Sequence, residues 1–506
     1  MEPNPSPLFI PALWEGAHFK VLDETLLPKK IEYITVNEIP HALQAVKEMK
    51  TRAFGQVLTF YYAVALVAQG NKTKSPEALN DRLTQLTEEF SEARPTFDFK
   101  GLARFIPEWF RELPPGEDVG NWIQNKALEA AARIIHAREQ RAMRTAELLP
   151  NPCRLLTHCN ISGELVAVAQ CCKEMGKEIQ ITATETRPYL QGSRLTAWEI
   201  ARAGIQVSLI PDCAIAQVMA KGEIDAVLVG SDRCAQNGDI INKVGTYPIA
   251  LMAKEYGIPF YALVQYPGSL AKGDDLFIEE RPVSELLSFQ GRSLLPEDSK
   301  GIGGRYPAFD VTPAALISSL ISFDGNFTPG SFRQRFEKPS SSTKDTKKEK
   351  EKYLLLYGVP KQSSYSYLSH ALKAEQSQTL MVPEMRPEMW GVQAVIPELL
   401  KRNTPTTLIS DNMMGTFFAR GQILGLYLFY EELSEKGPVG ICGSLLVTIL
   451  ARAHGVPVEL LESDDADMAP SDQDVSTFMG QRVSPEGVTI YPIEREVIPW
   501  SLFKEN

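Results

Sequence analysis

The chain has 506 residues, 44% of them hydrophobic and 23% charged, and carries a net charge of -11 at neutral pH. That length exceeds one hydrophobic core and calls for several domains, while the acidic balance argues against a nucleic-acid partner. No apolar run is long enough to span a bilayer, so no membrane partner is expected.

The first residues, Met1-Glu2-Pro3-Asn4-Pro5, lack a basic segment followed by an apolar one, so no secretory signal is expected. Seven cysteines are scattered without CxxC pairs. That usage fits free thiols in a reducing cytoplasm better than a disulfide framework or a zinc site. Residues 8–36 predict a short β-meander, with strands over 17–22 and 30–36. From Ile39 to about His136 apolar residues recur at three- and four-residue spacing, which predicts a helical N-terminal domain over residues 1–145.

From about Pro152 the pattern alternates. Strands are expected at 154–158, 179–184, 206–210, 224–230 and 259–264, and helices at 163–175, 193–203, 213–221 and 246–256. Apolar strands between amphipathic helices imply an α/β domain with a parallel sheet covered on both faces, here residues 146–330. Two polar residues stand directly after such strands: Cys159 in Thr157-His158-Cys159-Asn160, and Asp232 in Gly230-Ser231-Asp232-Arg233. Ligands of open α/β sheets bind beyond the carboxyl ends of the strands, so this thiol and this acid can converge on one small molecule. The remaining cysteines read as packing residues. Gly301-Ile302-Gly303-Gly304 has neither the spacing nor the preceding strand of a dinucleotide loop.

Residues 331–352 read as a solvated linker, since Pro339 to Lys350 contains no apolar residue. Beyond it the pattern repeats over residues 353–506. Glu185-Thr186-Arg187-Pro188 recurs as Glu384-Met385-Arg386-Pro387, and Leu209-Ile210-Pro211-Asp212 as Leu408-Ile409-Ser410-Asp411, in one register. One residue is then lost, and Gly257-Ile258-Pro259 returns as Gly455-Val456-Pro457. Pro296-Glu297 and Tyr306-Pro307 are echoed by Pro485-Glu486 and Tyr491-Pro492. The third segment therefore reads as a degenerate second copy of the second. It keeps Arg187 as Arg386, which favours a structural ion pair as much as a substrate contact. It replaces Cys159 with Gly358 and Asp232 with Glu431.

Together with Thr157-His158-Cys159-Asn160, the run Glu185-Thr186-Arg187-Pro188-Tyr189-Leu190-Gln191-Gly192-Ser193-Arg194 resembles the methylthioribose-1-phosphate isomerase family. So do Gly230-Ser231-Asp232-Arg233, Asn242-Lys243-Val244-Gly245-Thr246 and Pro307-Ala308-Phe309-Asp310-Val311-Thr312-Pro313. The family belongs to a superfamily with the regulatory subunits of the translation-initiation exchange factor. The resemblance covers about residues 8–325. It implies a small helical domain and a Rossmann-like domain, and conversion of 5-methylthioribose 1-phosphate to 5-methylthioribulose 1-phosphate in methionine salvage. It implies Cys159 and Asp232 as catalytic residues, and Arg94, Gln191, Asn242 and Lys243 as substrate-binding residues. Arg52, Ala53 and Phe54 stand where the family has an Arg-Gly-Ala-Pro phosphate loop. Phe54 is expected to narrow the pocket there. Ile161-Ser162-Gly163-Glu164 is one residue longer than the family loop and is expected to add a carboxylate near the substrate.

The chemistry that follows needs no metal and no organic cofactor. Asp232 supplies an acid to open the sugar ring, and Cys159 assists transfer of hydrogen from C2 to C1. Another pentose 1-phosphate, such as ribose 1,5-bisphosphate or 5-deoxyribose 1-phosphate, is the alternative substrate. A non-catalytic sugar-phosphate sensor is the alternative class. The second copy is expected either to take a partner subunit's place, giving an intrachain pseudo-dimer that is a monomer, or to leave a homodimer. A linker coil of this length spans about 25 Å, enough for the former.

Overall fold

The computed structural model describes residues 6–71, 75–95, 97–295, 301–337, 351–374, 379–463 and 474–504. Met1 to Pro5, Pro296-Glu297 and the linker stretch from Pro339 to Lys350 lie outside these. The chain divides into two compact units, residues 1–147 with 161–175, and residues 148–160 with 176–506.

In the first unit β1 (Ala12–Trp14), β2 (Phe19–Leu22) and β3 (Tyr33–Val36) form an antiparallel meander in chain order. The helices are α1 (Ile39–Lys47), α2 (Phe54–Gln69), α3 (Pro76–Ala93), the short α4 (Phe99–Ala103) and α5 (Ile106–Arg111), and the long α6 (Val119–Leu148). α2 is apolar on nearly every side and lies at the centre of the packing. Its Phe60 meets Phe90 edge-on at 5.4 Å and Phe99 at 5.6 Å. α3 begins where Ser75 accepts a hydrogen bond from the Ala78 amide and Pro76 presets the first turn. α7 (Glu164–Glu174) groups with this unit.

The second unit contains two parallel sheets. The first is built from β4 (Cys153–Thr157), β5 (Ile179–Thr184), β6 (Val207–Ile210), β7 (Ala226–Val229) and β10 (Phe260–Leu263), close to the expected strands. Between them run α8 (Ala197–Arg202), α9 (Ile215–Ala220), the short strands β8 (Arg233–Cys234) and β9 (Ile240–Lys243), and α10 (Thr246–Glu255). The strand order is β10-β7-β4-β5-β6, the arrangement of a Rossmann-like sheet, with β4 as the first strand and β7 as the fourth. β7 is buried at all four positions, as a strand covered on both faces must be.

The second sheet runs Val458–Glu462, Ile423–Tyr430, Tyr353–Tyr357, Thr379–Pro383 and Thr406–Ile409, the same order in the same direction. The sheets exchange edge strands. Ile302–Gly304 pairs with Thr406–Ile409, placing Gly303 opposite Thr407. Thr489–Ile490 pairs with β6, placing Thr489 opposite Ser208. Ser208 and Thr407 are matching positions under the shift that relates Cys159 to Gly358. The Gly301–Gly304 stretch is thus mostly an edge strand. One apolar cluster runs through both sheets, from Leu156, Val227 and Ile249 to Leu355, Phe417 and Leu428. His454 caps the end of a helix beside it and bonds the Tyr247 hydroxyl at 2.8 Å.

Two local details differ from the sequence reading. The helix expected from residue 193 opens as a π turn over Gly192–Thr196. A Cβ at Gly192 would lie 1.7 Å from the Thr184 carbonyl oxygen, so only glycine permits that approach. The second sheet repeats the π turn over Gly391–Val395. The stretch read as linker from residue 331 begins as helix, Pro329–Phe336, anchored by buried Phe332 against Phe327 and Phe336.

Candidate active site

β4 and β7 are neighbours, and the chain leaves β4 for opposite sides of the sheet, toward β5 and toward β7. That is a topological switch point, where an open α/β sheet leaves a crevice. Cys159 follows β4 and Asp232 follows β7, so both candidates sit at the carboxyl end of this crevice.

Cys159 is half-buried and held in the left-handed region, φ +64°. Such a backbone is uncommon for a side chain with a Cβ and needs support. Its amide donates to the Thr186 hydroxyl at 2.9 Å, and its carbonyl accepts from Thr196 at 2.6 Å. Asn160 donates to Thr196 and to Glu199 at 3.0 and 2.7 Å. Thr186 is positioned in turn by Asp212, which accepts from the Thr186 and Arg187 amides at 2.8 and 2.7 Å.

His158, which the sequence reading passed over, lies beneath the site. It is fully buried, with Nδ1 2.6 Å from the Thr184 hydroxyl and Nε2 2.9 Å from the Val244 carbonyl. Nε2 therefore carries the proton and donates to Val244, and Nδ1 accepts from Thr184. Burial pushes its pKa down to about 4; the Val244 bond opposes this and the Lys243 charge adds to it. His158 is a neutral strut between the ends of β5 and β9.

Asp232 is exposed to solvent. Desolvation by the surrounding protein is still the largest influence on its carboxyl and pushes it above the ordinary carboxylate range. Lys243 and then Arg233 pull the other way. Lys243 ends β9 with its ammonium 5.0 Å from the centre of the Phe309 ring. Asn242 is buried and donates to Thr246 at 2.9 Å, so it shapes this turn. Asp310 holds the same turn, accepting from the Gly245 and Tyr247 amides at 2.7 and 3.1 Å. Gln191 follows β5 at the start of the π turn. Its Oε1 and the Ser231 Oγ are buried without a hydrogen-bond partner among the described residues. Orphaned polar atoms at a crevice suit the hydroxyls of a sugar.

Arg52, Ala53, Phe54 and Arg94 lie in the first unit. Glu24 organises the first of these: its Oε1 accepts from the Arg52 amide at 2.8 Å and the Thr51 hydroxyl at 3.0 Å. Ala53 takes φ +39°, the kind of conformation glycine adopts freely. The loop thus keeps a glycine-like backbone without the glycine. Arg94 caps the end of α3.

Phe54 corrects one expectation. It is buried, with its ring 4.0 Å from the Arg138 guanidinium carbon, while Phe9 stands 4.5 Å from the same carbon. Phe54 therefore packs on Arg138 within this unit. Glu164 corrects another. It is fully buried and accepts from Arg141 at 2.6 and 2.7 Å and from Arg138 at 3.2 Å. Burial would raise its carboxyl, but Arg141 and Arg138 outweigh that and hold it below the usual range. The carboxylate added by the longer loop is a structural ion.

At the positions one constant shift away in the second sheet the residues differ. Gly358 stands at the position of Cys159 with φ +96°, and a Cβ there would lie 2.6 Å from the Phe429 carbonyl oxygen. Phe429 itself matches Gly230. The strand continues through Tyr430, where β7 has already ended. Trp390 replaces Gln191, and Glu431, matching Asp232, accepts from Arg495 at 2.8 Å. Tyr357 replaces His158 and donates to the Cys442 carbonyl at 2.7 Å, the counterpart of the His158 bond to Val244.

Among the described residues no helix is long and apolar enough to cross a membrane. The family described as "Initiation factor 2 subunit family" matches residues 56–329, more than half of the chain. A methylthioribose-1-phosphate isomerase of Desulforudis audaxviator is 36% identical over 332 residues, covering 62% of this chain and 93% of that protein. One of Thermotoga maritima is 36% identical over 331 residues, with coverages of 62% and 94%. Among solved structures, 5-methylthioribose 1-phosphate isomerase from Pyrococcus horikoshii matches with a TM-score of 0.57 at 30% identity, covering 64% of this chain and 93% of that one. Translation initiation factor eIF-2B subunit delta from A. fulgidus matches with a TM-score of 0.55 at 31% identity, with coverages of 63% and 96%.

Proposed function

The chain belongs to the initiation factor 2 subunit family, and from that premise we propose that it is an aldose–ketose isomerase converting 5-methylthioribose 1-phosphate to 5-methylthioribulose 1-phosphate. The observation that carries this reading is the pair Cys159 and Asp232 at the ends of adjacent strands, with the Asp232 carboxyl pushed toward its protonated form. In an aldose 1-phosphate the anomeric oxygen is esterified, so the ring opens only if an acid protonates the ring oxygen. Asp232 is that acid. Hydrogen then moves from C2 to C1, either as a proton carried by Cys159 through an enediol or as a hydride beside it. Gln191 and Lys243 hold substrate oxygens, and the family resemblance implies Arg52 and Arg94 as further substrate-binding residues.

The test is an NMR assay of the purified protein with 5-methylthioribose 1-phosphate in D2O. Ketose signals that vanish in Cys159→Ser support the reading. Deuterium at C1 of the product identifies proton transfer. No ketose from folded protein would overturn the substrate assignment; a panel of ribose phosphates then covers the alternative pentoses. The likeness to the eIF-2B delta subunit supports a second reading, a regulatory protein, which total inactivity across that panel would favour.

We read the second sheet as a degenerate repeat in the place of a partner subunit. The reciprocal edge strands and the buried ion pairs Arg187–Glu384 and Arg386–Glu185 support this, because an isologous face already engaged within one chain is not free for a second chain. Light scattering is expected to give a monomer near 56.2 kDa. A stable dimer would overturn that reading.

A further inference from the structure

We propose that Asn412, on the second sheet's side of the unit, is a positioning residue for the site around Cys159: its side-chain amide ties the loop after β5 to the turn after β9. The proposal rests on the isomerase reading for its kinetic consequence, though not for its geometry.

Asn412 is fully buried in the short turn that follows Thr406–Ile409. The Ser410 hydroxyl lies 2.7 Å from its Oδ1, which turns the Nδ2 the other way. Nδ2 donates to the Arg187 carbonyl at 2.9 Å and the Val244 carbonyl at 3.3 Å. These carbonyls belong to the two arms of the site. Arg187 follows Thr186, whose hydroxyl receives the Cys159 amide. Val244 follows Lys243, and its carbonyl also receives the His158 proton. Gly245 is wedged between them: a Cβ there would lie 2.8 Å from His158 Cε1 and 2.9 Å from Asn412 Cβ. The turn bearing Asn242 and Lys243 is thus clamped by His158 on one side and Asn412 on the other.

The reverse contact is weaker. Cys213 occupies the matching position in the first sheet, and its thiol lies 3.2 Å from the Arg386 carbonyl and 3.6 Å from Cys442 Sγ. A thiol is a poor donor where an amide is a good one. The strong tie therefore runs from the second sheet toward the site around Cys159.

The test uses the full chain with Asn412→Asp, which keeps the shape but removes the donor, and Asn412→Cys, which installs the residue already tolerated at the matching position. Selectively 15N-labelled histidine reports the His158 imidazole without substrate, and steady-state kinetics report kcat and KM. A misplaced site costs up to roughly 100-fold in rate. The expected result is kcat lowered by about 10- to 100-fold in Asn412→Asp, KM moved less, a smaller loss in Asn412→Cys, and displaced His158 resonances in both. Wild-type kcat and unmoved His158 resonances in a folded Asn412→Cys protein overturn the proposal, even if Asn412→Asp does not fold. If the wild-type protein shows no turnover, the isomerase reading fails, and the His158 resonances alone decide whether Asn412 holds this turn.

Discussion

Arg386 reaches Glu185 across the unit, with Nη2 2.8 Å from Oε2 and Nε 3.0 Å from Oε1, both side chains shut off from solvent. Arg187 answers by pairing with Glu384. Removing one partner of such a pair leaves a charge buried without compensation, at about 3–5 kcal/mol. Glu384→Ala is expected to lower unfolding stability by that amount in urea. Glu384→Ala with Arg187→Met is expected to lose less than Glu384→Ala alone, because no stranded charge remains. Equal losses in the single and double variants would deny that the stranded charge is the cause.

The same interface holds more acid than base. Glu185, Asp212, Glu384 and Asp411 are buried around two guanidinium groups. Desolvation, then the negative charge of Glu185, lifts Asp212 to about 8 against its backbone donors. Desolvation lifts Asp411 to about 7, with Glu384 adding to it and the Arg386 amide opposing. A carboxyl whose folded pKa exceeds its unfolded value binds protons more tightly when folded. That stability is complete below the ordinary carboxylate range and is lost as pH rises through the folded values. The urea midpoint is expected to fall between about pH 5 and pH 8, and Asp411→Asn to flatten the slope. A midpoint that rises over that window would contradict it.

What the sequence discloses of this site depends on how locally each residue acts. Cys159 and Asp232 are visible because an apolar strand stops and a polar residue follows, and the strand order then puts them at one crevice. Arg187 and Arg386 show themselves through the Glu-x-Arg-Pro run that recurs at Glu185 and Glu384. His158 gives no such signal, since a lone buried histidine is identified only by what it touches. Asn412 contacts a carbonyl 225 positions away, which no spacing announces. Phe54 and Glu164 were visible as departures, but composition does not say which way a side chain turns. Both turn toward Arg138, so two changes that look like substrate contacts form one internal cluster.

In the proposed reaction Asp232 acts as an acid only while protonated, so kcat/KM is expected to fall as pH rises through its elevated pKa. Lys243 lowers that pKa by its charge. Lys243→Met is therefore expected to move the alkaline limb of the pH profile to higher pH, besides weakening substrate binding. Asp232→Asn is expected to remove the limb and about 100- to 10,000-fold of the rate. An alkaline limb that survives in Asp232→Asn would assign the titration to another group.

Glu164 separates structure from chemistry in the first unit. Glu164→Ala strands Arg138 and Arg141 in the interior, at about 3–5 kcal/mol. Its depressed carboxyl contributes stability that is present above the unfolded pKa and lost as pH falls through the folded one. The expected variant is less stable at neutral pH, with KM unchanged at temperatures where it remains folded. A raised KM with unchanged stability would return Glu164 to the substrate.

Gly358 offers the converse test, whether the second crevice can be given chemistry. Gly358→Cys restores the residue type found at Cys159, yet its Cβ would meet the Phe429 carbonyl oxygen at 2.6 Å and the Phe429 Cβ at 2.7 Å. Cys159 holds its left-handed backbone with Thr186 bonded to its amide and Thr196 to its carbonyl. Gly358 has the same backbone sense, with Phe429 packed against the place a Cβ would take. Gly358→Cys is expected to cost about 1–3 kcal/mol or more of stability from the backbone conformation and the clash. In a Cys159→Ser background it is expected to restore no turnover, because Glu431 is engaged by Arg495 and Trp390 replaces Gln191. Turnover in that double variant, read by the same ketose NMR signals, would show that the second crevice is open after all.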